Sequence, residues 1–425
     1  MRALLIIIAL SVLLFAGSAL HADGTIRDAM GARTTGRGGA NIGFADNGQM
    51  LLDNPAAIVN MPGFRLTEIG VDLLFTDLEF TDPDNPGGVS AEDNPFPAGQ
   101  IVIASRSPDG SIGYGLGVFS QAGFASEYTM NGPFPFSGPQ HYKSIGALAR
   151  ILPSVSYRVN DRLSVGGNFG VAVNHMELEG PYTLQGPSPF AGTPTRFDFQ
   201  ATGAAISWAL AMQYQLTPAT RLGVTYQAET SFELDGSTVT EIPGLGSSRW
   251  DAEADVDWPQ YIGLGLQHDF NCCLRGGVDV VWFDWSSAWD SFDIVTSNPD
   301  NPVFQSVVGN TLNESFPLSW RDTVSVRTGL ERDIGCGRVI RCGYVYHRSP
   351  VPDSTLTPWI QTTLEHAFSV GYGWQVMGNE IDLAYQYSFG DDSFISTSSL
   401  LGGDFDNSTV ATEAHWLSLS MIRRY

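Results

Sequence analysis

From Phe64 to the end of the chain, apolar residues alternate with small or polar ones. Ile206, Trp208, Leu210, Met212, Tyr214 and Leu216 are separated by Ser207, Ala209, Ala211, Gln213 and Gln215. Leu222, Val224 and Tyr226 repeat the pattern, as do Ile381, Leu383, Tyr385, Tyr387 and Phe389. Successive side chains of a β-strand point to opposite faces, so each run predicts a strand with one apolar face and one small or polar face. Short breaks at Pro108-Asp109-Gly110, Asn160-Asp161, Thr217-Pro218, Asn271-Cys272, Ile334-Gly335 and Gly378-Asn379 alternate with long Gly-, Pro-, Asp- and Ser-rich stretches such as 81–97, 179–195 and 390–408. Counting between breaks gives about fourteen strands, an even number as in bacterial single-chain barrels, with short periplasmic turns and long extracellular loops. The expected fold is therefore all-β: an antiparallel transmembrane barrel. Soluble sandwiches and propellers also alternate. The turn rhythm, the even count and a closing run of Leu417, Leu419 and Met421 before the aromatic Tyr425 favour the barrel.

Two N-terminal segments break the pattern. Met1-Arg2, an apolar run from Ala3 to Phe15 and the small-residue end at Ala22 form a secretory signal over residues 1–22. The run is shorter than the roughly 20 residues a membrane helix needs. Residues 23–62 are rich in Gly, Ala and Asn and predict short helical turns and loops rather than strands, leaving 63–425 for the barrel. The GRGGANIG stretch follows no strand and lacks GK[ST], so it is not a phosphate loop.

Composition narrows the function. There are 45 acidic against 22 basic residues, Lys143 is the only lysine, and the net charge is -23. That excludes nucleic acid, whose phosphates need a basic surface. Forty-seven glycines and an aromatic share of 11% suit barrel walls and girdles. No GxSxG or HExxH motif occurs, the histidines are scattered, and no enzyme, cofactor or metal is expected. Asp82, Asp84 and Asp93 only loosely suggest a calcium loop, since Pro86 stands where a ligand should be. Cys272, Cys273, Cys336 and Cys342 are plausible disulfide formers after export, with three complete pairings open.

The order and spacing of several stretches carry a family resemblance. They are GRGGANIGFADNGQMLLDNPAAIVNM, which contains Asn54, Pro55 and Ala56; GFASEY from Gly123; PSVSYRVNDRLSVGGNFG from Pro153; RLGVTYQAETSFELDG from Arg221; and WRDTVSVRTGLE with RCGYVYHRSPVPDSTLTP between Trp320 and Pro358. Over nearly all its mature length the chain resembles the FadL family of outer-membrane transporters of long-chain fatty acids and other hydrophobic compounds. The cysteines and loop sequences fall outside the pattern. The resemblance implies a plug (hatch) of short helices and loops inside the lumen, with a ligand captured on extracellular loops and passed into a lumen pocket. Rearrangement of the plug around Asn54, Pro55 and Ala56 would follow, then lateral exit beside the third strand near Gln121, Ala122 and Gly123. It also implies location in the bacterial outer membrane. The partners would be a hydrophobic ligand such as a fatty acid, outer-membrane lipids and the barrel-assembly machinery. The alternatives are a channel for aromatic hydrocarbons within the same family and a structural or adhesive barrel.

Further candidates come from the residues themselves. Tyr182, Leu184 and Phe190 on the expected loop 179–195, with Ile242, Leu245 and Trp250 on the expected loop 235–253, are apolar groups that suggest a hydrophobic landing surface. Strand phase turns Arg150, Arg158 and Arg341 to the lumen, where each is a candidate contact for a carboxylate or, alternatively, a partner of wall acids.

Overall fold

The computed structural model describes residues 24–425 except 93, 94, 137, 187 and 188. The expected signal segment 1–22 and Asp93 lie outside the described residues. Fourteen antiparallel strands close into a barrel, as the alternation predicts. They are β1 (Arg65–Asp82), β2 (Phe96–Arg106), β3 (Ile112–Asn131), β4 (Pro139–Arg158), β5 (Leu163–Thr183), β6 (Pro194–Thr217), β7 (Thr220–Gln227 and Thr230–Ile242), β8 (Gly246–Trp258 and Tyr261–Asn271), β9 (Leu274–Phe283 and Ser291–Ser297), β10 (Thr311–Pro317 and Thr323–Gly335), β11 (Arg338–Tyr346), β12 (His366–Val376), β13 (Asn379–Phe389) and β14 (Ser408–Arg424). Each pairs with its neighbours in sequence, and β14 closes on β1 from Leu66↔Arg424 to Thr81↔Thr409. Closure leaves no lipid-facing edge, which a bilayer would otherwise penalise.

The alternation sets what each face meets. Ile206 is 61% and Leu210 58% exposed, while Ser207 and Ala209 between them are buried. Ile69, Val71, Ile101, Ile103, Leu116, Val118, Leu264, Val370, Leu419 and Met421 continue this outward apolar belt. Aromatic rings mark its border, with Tyr344 4.8 Å from Phe368 and Tyr387 5.1 Å from His415. Beyond the belt, towards the long loops, the outer wall becomes acidic. On β8, Asp251, Glu253 and Asp255 face out while Trp250, Ala252, Ala254 and Val256 are buried.

Two stretches expected as loops are strands. Residues 179–183 belong to β5, and 235–253 form a hairpin between β7 and β8 with Ser237↔Asp251 in register. In 235–253 the Asp, Gly and Ser content mimics loop composition, but Asp235, Gly236, Ser247 and Asp251 are exposed on the outward face, where polarity does not interrupt pairing.

β7 to β10 break at 228–229, 259–260, 284–290 and 318–322. The breaks gather Trp258, Trp285, Trp289 and Trp320, whose nearest ring pair is 4.2 Å apart.

Cys272, Cys273 and Cys336 occupy turns on the short-turn side, and Cys342 faces outward on β11; all four are exposed free thiols. Short turns face the periplasm in bacterial barrels. An impermeant thiol reagent should therefore leave Cys272, Cys273 and Cys336 unlabelled on intact cells and label them once the outer membrane is permeabilised. Equal labelling before and after would reverse the orientation.

Candidate functional site

Residues 24–61 fill the barrel interior and are nearly all buried. Short helices at Ala32–Thr35 and Met50–Asp53 and a 3-10 helix at Pro55–Asn60 organise them. Such short helices bring many unsatisfied backbone groups, and the wall satisfies them. The Ala32 N–H donates to Ser420 Oγ on β14 at 2.9 Å, and the Asn41 and Ile42 N–H groups donate to Asp279 on β9 at 2.6 and 2.8 Å. The Val59 N–H donates to Ser156 on β4 at 3.0 Å, and Asn168 on β5 donates to the Leu51 carbonyl at 3.0 Å.

An ion network clamps the periplasmic half. Arg33 lies 2.7 Å from Glu380 and 2.8 Å from Asp382, Arg37 lies 3.0 Å from Asp46, and Arg275 of β9 also bonds Asp46. Arg341 joins Glu331 and Asp382, both at 2.6 Å. Burial alone would raise the Asp46 pKa, but the Arg37, Arg275 and Arg33 guanidiniums hold it well below the usual carboxylate range.

Asn54, Pro55 and Ala56 are fully buried within this fixed part. Asn54 caps the 3-10 helix by accepting from the Ala56 N–H at 3.2 Å. Its amide donates to the carbonyls of Ile42 at 2.8 Å and Met212 at 3.2 Å.

The segment from Gly24 to Met30 is held differently. β2 and β3 pair only up to Gln100↔Phe119, and the β3–β4 register shifts between Ser120 and Ala122. Gln121, Ala122 and Gly123 thus form a bulge whose β2 side has no barrel strand. The N-terminal arm takes that place. Ile26 bridges Ala122, the Arg27 N–H donates to Gln121 O at 3.1 Å, and the Gly123 N–H donates to Thr25 O at 3.1 Å. Arg27 also pairs with Asp72 on β1 at 2.8 Å and lies 4.2 Å over the Trp416 ring. Leu74, Thr76, Ala125 and Ser126 border both a cavity inside the wall and one outside it. The wall between those two cavities is the break beside β3.

Above lies a second internal cavity, lined by apolar and aromatic groups including Met176, Leu178, Phe197, Phe292 and Phe316. Asp255 and Asp257 of β8 border it, with the Asp255 side chain facing out of the barrel, and no cation does among the described residues.

A family model described as outer membrane protein transport protein (OMPP1/FadL/TodX) matches residues 13–425. The chain belongs to this family. A FadL homologue of Pseudomonas aeruginosa is similar in fold, with a TM-score of 0.74 at 19% identity, covering 94% of this chain and 99% of that one. The toluene transporter TbuX of Ralstonia pickettii gives 0.73 at 20% identity, covering 94% and 99%. The toluene transporter TodX of Pseudomonas putida gives 0.74 at 17% identity, covering 96% and 99%. A comparison with curated proteins gave no match. The OMPP1/FadL/TodX membership and the barrel together place the protein in the bacterial outer membrane.

Against this family frame, the other candidate residues separate. Tyr182, Leu184, Ile242 and Trp250 are buried, and Phe190 and Leu245 pack against the same apolar cluster, so they are not an exposed landing surface. Tyr182 stacks 4.6 Å from Phe197 and 5.3 Å from Phe316, both of which line the upper cavity. The exposed apolar groups on the long-loop side are Phe134 (93% exposed), Val303, Val307, Phe394 and Leu401. Val303 and Val307 lie on the short helix Pro302–Val307, whose Phe304 is buried, and Leu401 follows the buried Leu400; these segments are too short to carry a sustained pattern in the sequence.

Of the three arginines, Arg341 is bound to wall acids, and Arg158 donates to the plug carbonyl of Val59 at 2.8 Å. Arg150 is buried, bonds Thr230 at 3.4 Å, and its Nε and Nη1 have no hydrogen-bond partner among the described residues.

The Asp46 shift has a definite sign. A carboxylate depressed in the folded state contributes stability above its unfolded pKa and loses it only as pH falls through the folded value. Plug anchoring should therefore be unchanged from pH 7 to pH 5. Asp46→Asn should remove on the order of 3 kcal/mol locally, or roughly hundredfold faster amide exchange across residues 33–53. Exchange measured by mass spectrometry at both pH values checks this; unchanged protection in the variant would contradict it.

Proposed function

We propose that the protein passes uncharged hydrophobic molecules from the exterior into the outer membrane. They are caught at apolar loop tips, held in the upper cavity, and released sideways past the arm beside β3. The observation that carries this is the missing β2 partner of Gln121–Gly123, filled by a short non-covalent arm rather than by wall. A molecule that dissolves in the bilayer gains nothing by crossing aqueous periplasm, so a lateral door suits it better than an axial pore.

The moving part we infer is Gly24–Met30. Asn54, Pro55 and Ala56 serve as the fixed base on which the arm turns, because every bond around them ties them to neighbouring plug or wall. Tyr182, Leu184, Phe190, Ile242, Leu245 and Trp250 act as the packing that shapes the receiving cavity. Lipids on the outer face of the gap take up the product. Residues 1–22 direct export, and the barrel-assembly machinery inserts the chain. The route has no place for a nucleophile or general base, and the reading is transport without catalysis.

For cargo, the relatives named as toluene transporters and the cavity chemistry agree. The upper cavity has no cation among its described lining residues, and the arm's Arg27 is paired with Asp72. A carboxylate would lose its hydration there without gaining a partner. The second reading, a fatty acid, is favoured by Arg150, a buried guanidinium with two unpartnered groups.

Two experiments test these statements. Cysteines at Ile26 and Ala122, in a background with the four native cysteines replaced by serine, should tie the arm to β3. Oxidation should cut uptake of labelled toluene by tenfold or more, and reductant should restore it, with heat-modifiable gel migration unchanged throughout. Uptake that ignores the oxidation state would rule out the arm as the door. Arg150→Gln should leave toluene uptake within about twofold; a selective loss of fatty-acid uptake would instead establish the second reading.

A further inference from the structure

The two internal cavities meet at one side chain. The upper, apolar cavity and the lower one beside the arm share Trp359 and no other lining residue. Trp359 comes from the long connection between β11 and β12, which turns inward after a 3-10 helix at Asp353–Thr355. The residue is 4% exposed.

Its position is fixed on several sides. The indole N–H donates to the Glu179 carbonyl on β5 at 2.7 Å. The ring lies 5.7 Å from Tyr142, 5.5 Å from Phe197 and 5.5 Å from Phe405. Aromatic contacts at these separations are directional as well as apolar, so they set the plane of the ring. The backbone is held too. The Ser126 hydroxyl donates to Pro358 O at 2.8 Å, and the Ser144 hydroxyl donates to Trp359 O. Ser126 lies on β3 three residues past Gly123, on the rim of the lateral gap, and also lines the cavity outside the wall. Two residues further on, Tyr128 donates to Gln361 at 2.9 Å. The strand that borders the gap therefore carries the loop that bears the tryptophan.

We propose that Trp359 is the partition between the receiving cavity and the exit cavity, and that it sets the length of molecule the upper cavity accepts. The inference rests on the route described above, but its first test does not need transport. A ligand in the upper cavity is stopped by the indole. Movement of β3 at the gap draws on Pro358 through Ser126, which also bonds Ser144 of β4, itself bonded to the Trp359 carbonyl, so opening the wall and withdrawing the partition are one motion.

A series of n-alkylbenzenes titrated calorimetrically into the full detergent-solubilised protein reads the partition directly. Affinity should rise about fourfold per methylene while the chain stays in the cavity, because each adds apolar surface removed from water, and then stop rising where the chain meets the ring. In Trp359→Ala the rise should continue for several more methylenes. In Trp359→Phe, which keeps an aromatic ring in the same packing, the plateau should move by one or two. An unmoved plateau in both variants, or loss of all binding in Trp359→Phe with native gel migration, would overturn the partition.

Uptake into proteoliposomes separates this from the lateral route. If the Ile26–Ala122 crosslink leaves uptake intact while the plateau still moves in Trp359→Ala, the partition stands and the exit lies elsewhere. If the crosslink blocks uptake and the plateau does not move, the route stands and the partition falls.

Discussion

In a bilayer a peptide group without a hydrogen-bond partner is expensive, and this constraint organises the whole molecule. The barrel meets it by closing β14 on β1 over sixteen residues of each strand, from Leu66↔Arg424 to Thr81↔Thr409. Beside β3 the ladder to β2 stops at Gln100↔Phe119, and there the arm supplies the missing donors and acceptors through Thr25, Ile26 and Arg27. The arm thus completes the wall through hydrogen bonds of a separate segment rather than through a neighbouring strand. Removing it exposes a few backbone groups of β3, while the wall on the other side, β3 against β4, stays paired from Ile112↔Tyr157 to Asn131↔Pro139.

Charge ties the parts of the plug to the wall unequally. Arg33, Arg37, Arg275, Arg341 and Arg424 share Asp46, Glu331, Glu380 and Asp382, so each of these carboxylates has more than one partner. Removing one member would leave the others buried and unbalanced, which makes such networks cooperative. The arm makes two main-chain hydrogen bonds to the bulge, pairs Arg27 with Asp72 at 2.8 Å, and accepts from Arg327 at the Asp28 carbonyl at 2.9 Å, beside an internal cavity.

How far the sequence could be read depended on whether the relevant signal was local. The period-two runs gave the strands, their number and the lumen phase of Arg150. Gln121–Gly123 was reached through the family resemblance, and the glycine and polar residue that interrupt the run of Tyr114, Leu116 and Val118 carry the same signal locally. The hairpin of 235–253 was misjudged as loop, although Trp250-Asp251-Ala252-Glu253-Ala254-Asp255-Val256-Asp257-Trp258 alternates as strictly as any belt strand. Its outward positions carry acids where lipid-facing strands carry Leu or Ile, and composition outweighed period. The arm and Trp359 were not legible at all. GTIRDAM has no pattern of its own; its meaning comes from Gln121, more than ninety positions away, as Trp359 takes its meaning from Ser126, 233 positions away.

Those distances bear on how the molecule comes to exist. Ala32 and Ser420 are separated by 388 residues, yet their bond is part of what holds the plug in the last strand. A chain threaded across a membrane from its N-terminus presents the plug first and its binding partner last. Contacts so far apart form slowly, because the loop between them must be ordered before any energy returns. Until β14 arrives, the plug's charges face an unfinished wall. Assembly is therefore a race in which the interior must be kept soluble and waiting while its container is built around it.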